Sequence, residues 1–305
     1  MYRVLGKRAL STVIEAVGNT PLVDITEPLS ITNGSRVLVK LEFFNPSGSV
    51  KDRPALYIVR DAIQRGDLRE GMAILDASSG NMAVSLALMA ACYGFGVKIV
   101  VPKNISQEKI GLLRLLGAEI VFTDPLEGID GAIMEARRIL EREPEKYYYS
   151  NQYDNPSNVR AHYETTGPEV ISQTDGKVTH FVAGVGTSGT LMGAGRRLRE
   201  FNSSIELVEV QPDSPLHGIE GLKHMTSAIR PKIYDPGFAD RLIQVSTETA
   251  YRYSRLLASR AGILAGISGG ANVAAALKVA QERGDSVVVT LIPDGAARYI
   301  DLLVS

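Results

Sequence analysis

The 305-residue sequence predicts an α/β protein with two lobes, each a twisted, mostly parallel sheet flanked by helices. Short β-branched apolar runs alternate with segments of helical apolar period along most of the chain, and several of the helical segments stop at glycine. Parallel strands need a crossover connection, usually a helix that covers one face of the sheet, so this alternation points to parallel sheets with helices on both faces. A polar Asn/Pro/Ser cluster, KYYYSNQYDNPSNVRAH (Lys146 to His162), interrupts the alternation and supplies the boundary. We therefore expect residues 41–150 to form a smaller, mobile lobe, and 1–40 with 151–305 to form the larger one.

Seven segments read as strands: RVLVKLE, AILDA, VKIVVP, AEIVF, THFVAG, IELVEV and SVVVTLI. Seven read as helices by their i, i+3, i+4 apolar spacing: DRPALYIVRDAIQRG, MAVSLALMAACYG, SQEKIGLLRLLG, IDGAIMEARRILERE, TLMGAGRRLRE, TETAYRYSRLLASRAG and ANVAAALKVAQERG. No short repeat and no low-complexity tract interrupts them.

Composition excludes several classes of function. Lys+Arg total 33 against Asp+Glu 34, so the net charge of −1 gives no source for the polyelectrolyte attraction that drives nucleic-acid binding. The most apolar run, Ala83 to Val97, is broken by Ser85, Gly94 and Gly96 and is shorter than the roughly 20 residues of a membrane span. MYRVLGKRAL has no apolar signal core, so a cytoplasmic protein is expected. Cys92 is the single cysteine and reads as a buried helix residue, which excludes an intrachain disulfide. His162, His180, His217 and His224 have no metal-ligand spacing, so no metal is expected.

Two glycine-containing loops carry the chemistry. GVGTSG, Gly184 to Gly189, follows a strand and opens a helix, and its letters match GxGxxG. A dinucleotide reading would add Glu206 or Glu209 for the ribose, which keeps an NAD-dependent oxidoreductase as an alternative. The hydroxyls favour another ligand: around Gly186, Thr187, Ser188, Gly189 and Thr190, backbone N–H groups and three side-chain donors converge at a helix N-terminus and form a cup for one phosphate dianion. The second loop, DASSGNMA, presents Ser78, Ser79 and Asn81 at another helix mouth and looks like a carboxylate site; N-capping accounts for one serine, but not for both together with Gly-Asn.

Lys51, in NPSGSVKDRPA, sits at a helix start, where a cation meets the positive end of the macrodipole. Its amine is therefore more readily neutral and nucleophilic. One cofactor demands both a lysine amine and a single-phosphate cup: pyridoxal 5′-phosphate.

AVGNTPLV, NPSGSVKDRPA, SSGN, NQYDNPSN, GVGTSGT, AGISGGA and PDGAARY stand in one order along nearly the whole chain. In these motifs the sequence resembles the cysteine synthase / cystathionine β-synthase family, pyridoxal-phosphate enzymes of fold type II with the tryptophan synthase β-like architecture. The resemblance implies that Lys51 is the Schiff-base lysine and general base. It further implies that Asn81 meets the ring 3′-oxygen and that Gly186, Thr187, Ser188, Gly189 and Thr190 hold the phosphate. Gly266 would line the cofactor's edge, and Gly295 would take the position facing the pyridine nitrogen. Ser78, Ser79 and Gln152 would bind the substrate carboxylate, with Met82 where the family carries threonine and Gly295 where it carries serine or threonine.

The implied reaction is β-replacement on an O-activated L-serine, O-acetylserine or O-phosphoserine. Lys223, with His224 and Arg230, forms a cationic cluster placed to recognise a phosphate leaving group; a solvated surface is the competing reading. The family also implies an amino-acid substrate, a homodimer, and sulfide or a sulfur-carrier protein as sulfur donor. Diaminopropionate-precursor synthesis and serine/threonine dehydration are alternative activities of the same chemistry, and a catalytically silent binding protein is an alternative of another class.

Overall fold

In the computed structural model, which describes residues 9–78 and 80–304, the strands divide between two sheets. Strands β1 (Leu22–Asp24) and β2 (Arg36–Leu41) open the chain. Next come β3 (Ala73–Ala77), β4 (Gly96–Pro102), β5 (Glu119–Thr123) and β6 (Tyr147–Tyr149), and these four pair in the order β5-β4-β3-β6, all parallel. The last four are β7 (His180–Gly184), β8 (Glu206–Pro212), β9 (Arg241–Val245) and β10 (Val287–Ile292). They join the first two in a six-stranded sheet of order β1-β2-β10-β7-β8-β9, in which β1 alone is antiparallel to its neighbour.

Helices α1 (Asp52–Arg65), α2 (Asn81–Tyr93), α3 (Gln107–Leu115) and α4 (Gly128–Arg142) belong with the four-stranded sheet. Ile74, Ile99 and Val101 pack under α1, α2 and α3 on one face, and Leu75 and Val100 pack under α4 on the other. The chain then runs through α5 (Pro156–Ala161), a π-helical turn His162–Thr166, and α6 (Gly167–Gln173). With α7 (Gly189–Phe201), these cover one face of the six-stranded sheet. Its other face is covered by α8 (Thr247–Ala261) and α9 (Ile267–Arg283), and α10 (Ile300–Val304) closes the described chain.

All seven sequence-predicted strands and all seven helices form. Three short strands escaped the pattern. In β6, YYY fell inside the segment taken as a polar boundary, yet it is the fourth strand of the smaller sheet. The same segment supplies α5. Three-residue strands are too short to show a two-residue period, and the edge strand β9 alternates between buried and exposed without the apolar density of its neighbours.

Burial explains the two helices nearest the cavity. Helix α2 is apolar on every side because it lies inside, with Met82, Leu86 and Met89 at or near zero exposure. Helix α1 buries charge: Arg53 is fully enclosed and pairs with Glu42 at 2.7 Å and Glu169 at 2.6 Å. This network ties α1 to the end of β2 and to α6, and removing one member would leave an unpaired buried charge, at a cost of about 3–5 kcal/mol. It fixes the start of α1, where Lys51 stands. Cys92 is half-buried on α2 rather than enclosed, and burial pushes its thiol pKa up.

Candidate active site

The carboxyl ends of β3, β7 and β10 open on a cavity of about 920 Å³, the place where parallel α/β sheets bind ligands. Its wall includes Lys51, Ser78, Asn81, Met82, Gln152, Gly186, Thr187, Ser188, Thr190 and Lys223, so residues separated by more than 170 positions meet around one space. Ser79 lies outside the described residues.

Lys51 is the N-cap residue of α1. The segment before it is tied to the end of β10 by Val50 N donating to Pro293 O (2.8 Å) and by a Ser49–Asp294 bridge. The lysine amine makes no hydrogen bond or ion pair with any described side chain; burial lowers its pKa, against the attraction of Asp294. A lysine held this way is a ready nucleophile and proton acceptor.

Asp294 is almost fully buried beside it, and burial raises its pKa against hydrogen bonds from Tyr299 and Asn81. One carboxylate oxygen accepts from Asn81 Nδ2 (2.6 Å) and Tyr299 Oη (2.6 Å), and the other, Oδ1, has no partner among the described residues. The guanidinium of Arg298 donates to Asn81 Oδ1, which fixes the direction of the amide.

The β7–α7 turn forms the cup. Ser188 adopts a left-handed backbone (φ 72°), uncommon for a residue with a side chain and frequent at functional turns. Its hydroxyl is buried without a partner among the described residues. Gly186 passes so close to the 221 carbonyl that a Cβ there would lie 2.1 Å from it. Thr187 Oγ1 accepts from Asn158 Nδ2 (3.0 Å), and Thr190 Oγ1 lies 3.2 Å from His162 Nε2. An unpartnered buried hydroxyl, two threonine hydroxyls on the same wall and the N-terminus of a thirteen-residue helix suit one phosphate group.

Three of the glycines named for the cofactor are not among the residues of the cavity wall. A Cβ on Gly295 would point toward Phe43 and the 264 carbonyl, away from the cavity; the preceding residue, Asp294, has its side chain on the wall. Gly266 also lies off the wall: its bare Cα makes room for Asp294 Oδ1, which would be 2.0 Å from an added Cβ. Gly189 is buried beneath Asn158, and its N–H is directed at Thr187 Oγ1 (3.4 Å). Sequence reading thus missed Asp294, although PDGAARY contains it, along with Arg298, Tyr299, Asn158 and His162. The available signal was a carboxylate at the carboxyl end of a predicted parallel strand.

Lys223 does reach the cavity, where its amine donates to the 229 carbonyl (3.4 Å) and lies over the Tyr153 ring (4.7 Å); burial lowers its pKa. His224 also lines the cavity, whereas Arg230 does not, so the cationic cluster is split. The acids of the dinucleotide reading are engaged elsewhere: Glu206 with Arg283 and His180, and Glu209 with Tyr234 and Gln211.

Residues 13–294 match the model of the pyridoxal-phosphate dependent enzyme family, and the chain belongs to that family. It is a pyridoxal-phosphate-dependent enzyme, which sets aside both the nicotinamide and the catalytically silent alternatives. It is 47% identical over 300 residues to a cysteine synthase of Aquifex aeolicus, covering 96% of this chain and 92% of that one. It is 39% identical over 291 residues to cysteine synthase B of Escherichia coli, covering 95% of each. Among solved structures, cysteine synthase (OASS) from Entamoeba histolytica superposes with a TM-score of 0.93 at 36% identity, covering 98% of this chain and 92% of that chain. No helix among the described residues is long and apolar enough to cross a membrane.

Proposed function

We propose that the protein replaces the acetoxy group on Cβ of O-acetyl-L-serine with sulfide, giving L-cysteine and acetate. The observation that supports this best is the meeting of Lys51, Asp294, Ser78, Asn81 and the cup residues Gly186, Thr187, Ser188 and Thr190 around one cavity, in a chain similar to cysteine synthases over nearly its whole length. Pyridoxal phosphate, when bound, supplies an electron sink for the charge left at an amino acid's α-carbon. Gly186, Thr187, Ser188 and Thr190 would hold its phosphate, Asn81 its ring oxygen and Asp294 its ring nitrogen.

The chain's own groups do the rest. Lys51 Nζ, its charge disfavoured by burial, takes the α-proton. Ser78 and Gln152, 5% and 4% exposed, present polar atoms to the substrate carboxylate beside the N-terminus of α2. Met82 adds an apolar side chain where a hydroxyl would otherwise contact that carboxylate, so orientation rests on Ser78, Ser79 and Gln152. The smaller lobe, 41–150, is the part that moves to enclose substrate, in keeping with its separate sheet. We also place the enzyme in the cytoplasm as a homodimer; exposed Phe44, Leu264 and Ile300 offer apolar area for a second copy.

The test is a product assay with four acceptors. Purified enzyme given O-acetylserine and sulfide should release cysteine faster than it forms cystathionine with homocysteine, a diaminopropionate with ammonia, or pyruvate with water. Faster turnover with O-phosphoserine, or with a protein thiocarboxylate in place of sulfide, would reassign the leaving group or the sulfur donor. Lys51→Ala should lower turnover at least about 10³-fold, and borohydride reduction followed by mass spectrometry should find the cofactor on Lys51 in the wild type.

A further inference from the structure

The two threonine hydroxyls of the cup are each met from behind by a buried side chain of one short segment. Asn158, on α5, is 1% exposed and donates its amide Nδ2 to Thr187 Oγ1 at 3.0 Å and to the 152 carbonyl at 2.9 Å. His162, also 1% exposed, begins the π-helical turn four residues later and places Nε2 3.2 Å from Thr190 Oγ1, with Nδ1 2.9 Å from Thr166 Oγ1. The segment packs tightly against α7: a Cβ on Gly189 would lie 2.0 Å from Asn158 Oδ1, and one on Gly193 would lie 2.8 Å from His162 Cβ. Single π-helical turns inside helices cost hydrogen-bond geometry and concentrate at functional sites. NPSN was prominent in the sequence, and the cofactor chemistry above leaves its last asparagine without a role.

A hydroxyl has one proton and two lone pairs, so occupying its oxygen with a donor decides where its proton goes. Thr187 Oγ1 accepts from Asn158 and faces the Gly189 N–H, which leaves its proton to be given to the cavity. His162 can do the same for Thr190 if it is neutral and carries its proton on Nε2, with Thr166 donating to Nδ1. Burial and, after it, the nearby charge of Arg53 hold the imidazole uncharged, with Glu169 opposing. We infer that Asn158 and His162 are positioning residues that turn the hydroxyls of Thr187 and Thr190 into hydrogen-bond donors aimed at the phosphate of the cofactor. This rests on the reading of the Gly186–Thr190 turn as the phosphate cup.

The experiment compares the affinity of the apoenzyme for pyridoxal 5′-phosphate and for pyridoxal, which lacks the phosphate, by titration in visible absorption. His162→Leu and Asn158→Leu should each weaken pyridoxal 5′-phosphate about tenfold, the loss of one hydrogen bond to a charged group, and leave pyridoxal unchanged. His162→Leu combined with Thr190→Val should lose no more than Thr190→Val alone, because both remove the same donor. The glutamine amide can stand in for the Nε2 donor and the asparagine amide is too short to reach Thr190, so His162→Gln should keep the affinity that His162→Asn loses. That pair decides the matter if the leucine variants fail to fold. Equal losses for pyridoxal and pyridoxal 5′-phosphate, additive losses in the double variant, or equal affinities for His162→Gln and His162→Asn would overturn the inference. Thr190→Val and Ser188→Ala without effect would overturn the cup itself. Their loss of affinity beside an unaffected His162→Leu would overturn the positioning role and leave the cup standing.

Discussion

Two strand-to-helix turns face each other across the cavity, and they are built on opposite plans. The β7–α7 turn is supported within its own lobe: Thr187 and Thr190 rest on Asn158 and His162, and Gly186 rests on the 221 carbonyl. The β3–α2 turn is held from the other sheet. Asn81, first residue of α2, is gripped by Asp294 and Arg298, both beyond the end of β10. Even the strands beneath differ, since β7 carries apolar Ala183 as its penultimate residue whereas β3 carries there a buried carboxylate, Asp76, with Oδ2 unpartnered among the described residues. A turn closed within one lobe suits a group that stays. A turn whose contacts cross between sheets suits one that must register the passage of substrate.

The largest consequence falls on the crossing contact. Asn81→Ala removes the donor to Asp294 and the group that Arg298 orients, and kcat should fall about 100-fold, the usual loss for one oriented donor at a reacting centre. Cofactor affinity should change less than about threefold. Steady-state kinetics at saturating cofactor, paired with cofactor titration, separates the two; a loss confined to affinity would put Asn81 in the same class as the cup.

The opposite split is expected at the other turn. Thr187→Val with Thr190→Val removes two donors to a dianion, each worth about 1.5–3 kcal/mol, so cofactor affinity should drop at least tenfold while kcat at saturating cofactor stays within about threefold. Unchanged affinity, or NAD binding by the wild type in calorimetry, would remove the basis of the contrast.

The remaining effect is one of stability and does not touch the cavity chemistry. Burial raises the Asp76 pKa to about 7 from 3.8, with the Ser150 hydrogen bond opposing. Below about pH 4 both folded and unfolded chains keep this proton and there is no penalty. As pH rises toward 7 the unfolded chain releases it while the folded chain does not, so stability falls through that window, by up to about 4 kcal/mol in total, and levels off above it. Denaturant midpoints of Asp76→Asn, measured from pH 5 to 8, should decline less steeply than those of the wild type. Parallel curves would show that Asp76 does not titrate in this range.

Much of this molecule could be read from its sequence because local rules and burial agree. Parallel strands such as IVV in β4 and VVV in β10 are apolar throughout, since helices cover both faces, and helices such as α1 and α8 keep the 3.6-residue period with glycine at their ends. Lys51 and the hydroxyl-rich turn were legible because their residue types conflict with a purely structural use: a cation at a helix start, and three hydroxyls in one turn. Tertiary structure alone decided which carboxylate the lysine meets, because Asp294 reaches Lys51 through a bridge between segments 245 residues apart in sequence. It also decided that Gly295 and Gly266 leave the wall to Asp294, that β6 completes a sheet begun by β3, and that Asn158 and His162 stand behind the cup. Sequence period records which face of an element is buried. It carries no record of what lies on the other side of that burial, which is fixed only when distant segments pack and each buried polar atom must find a partner.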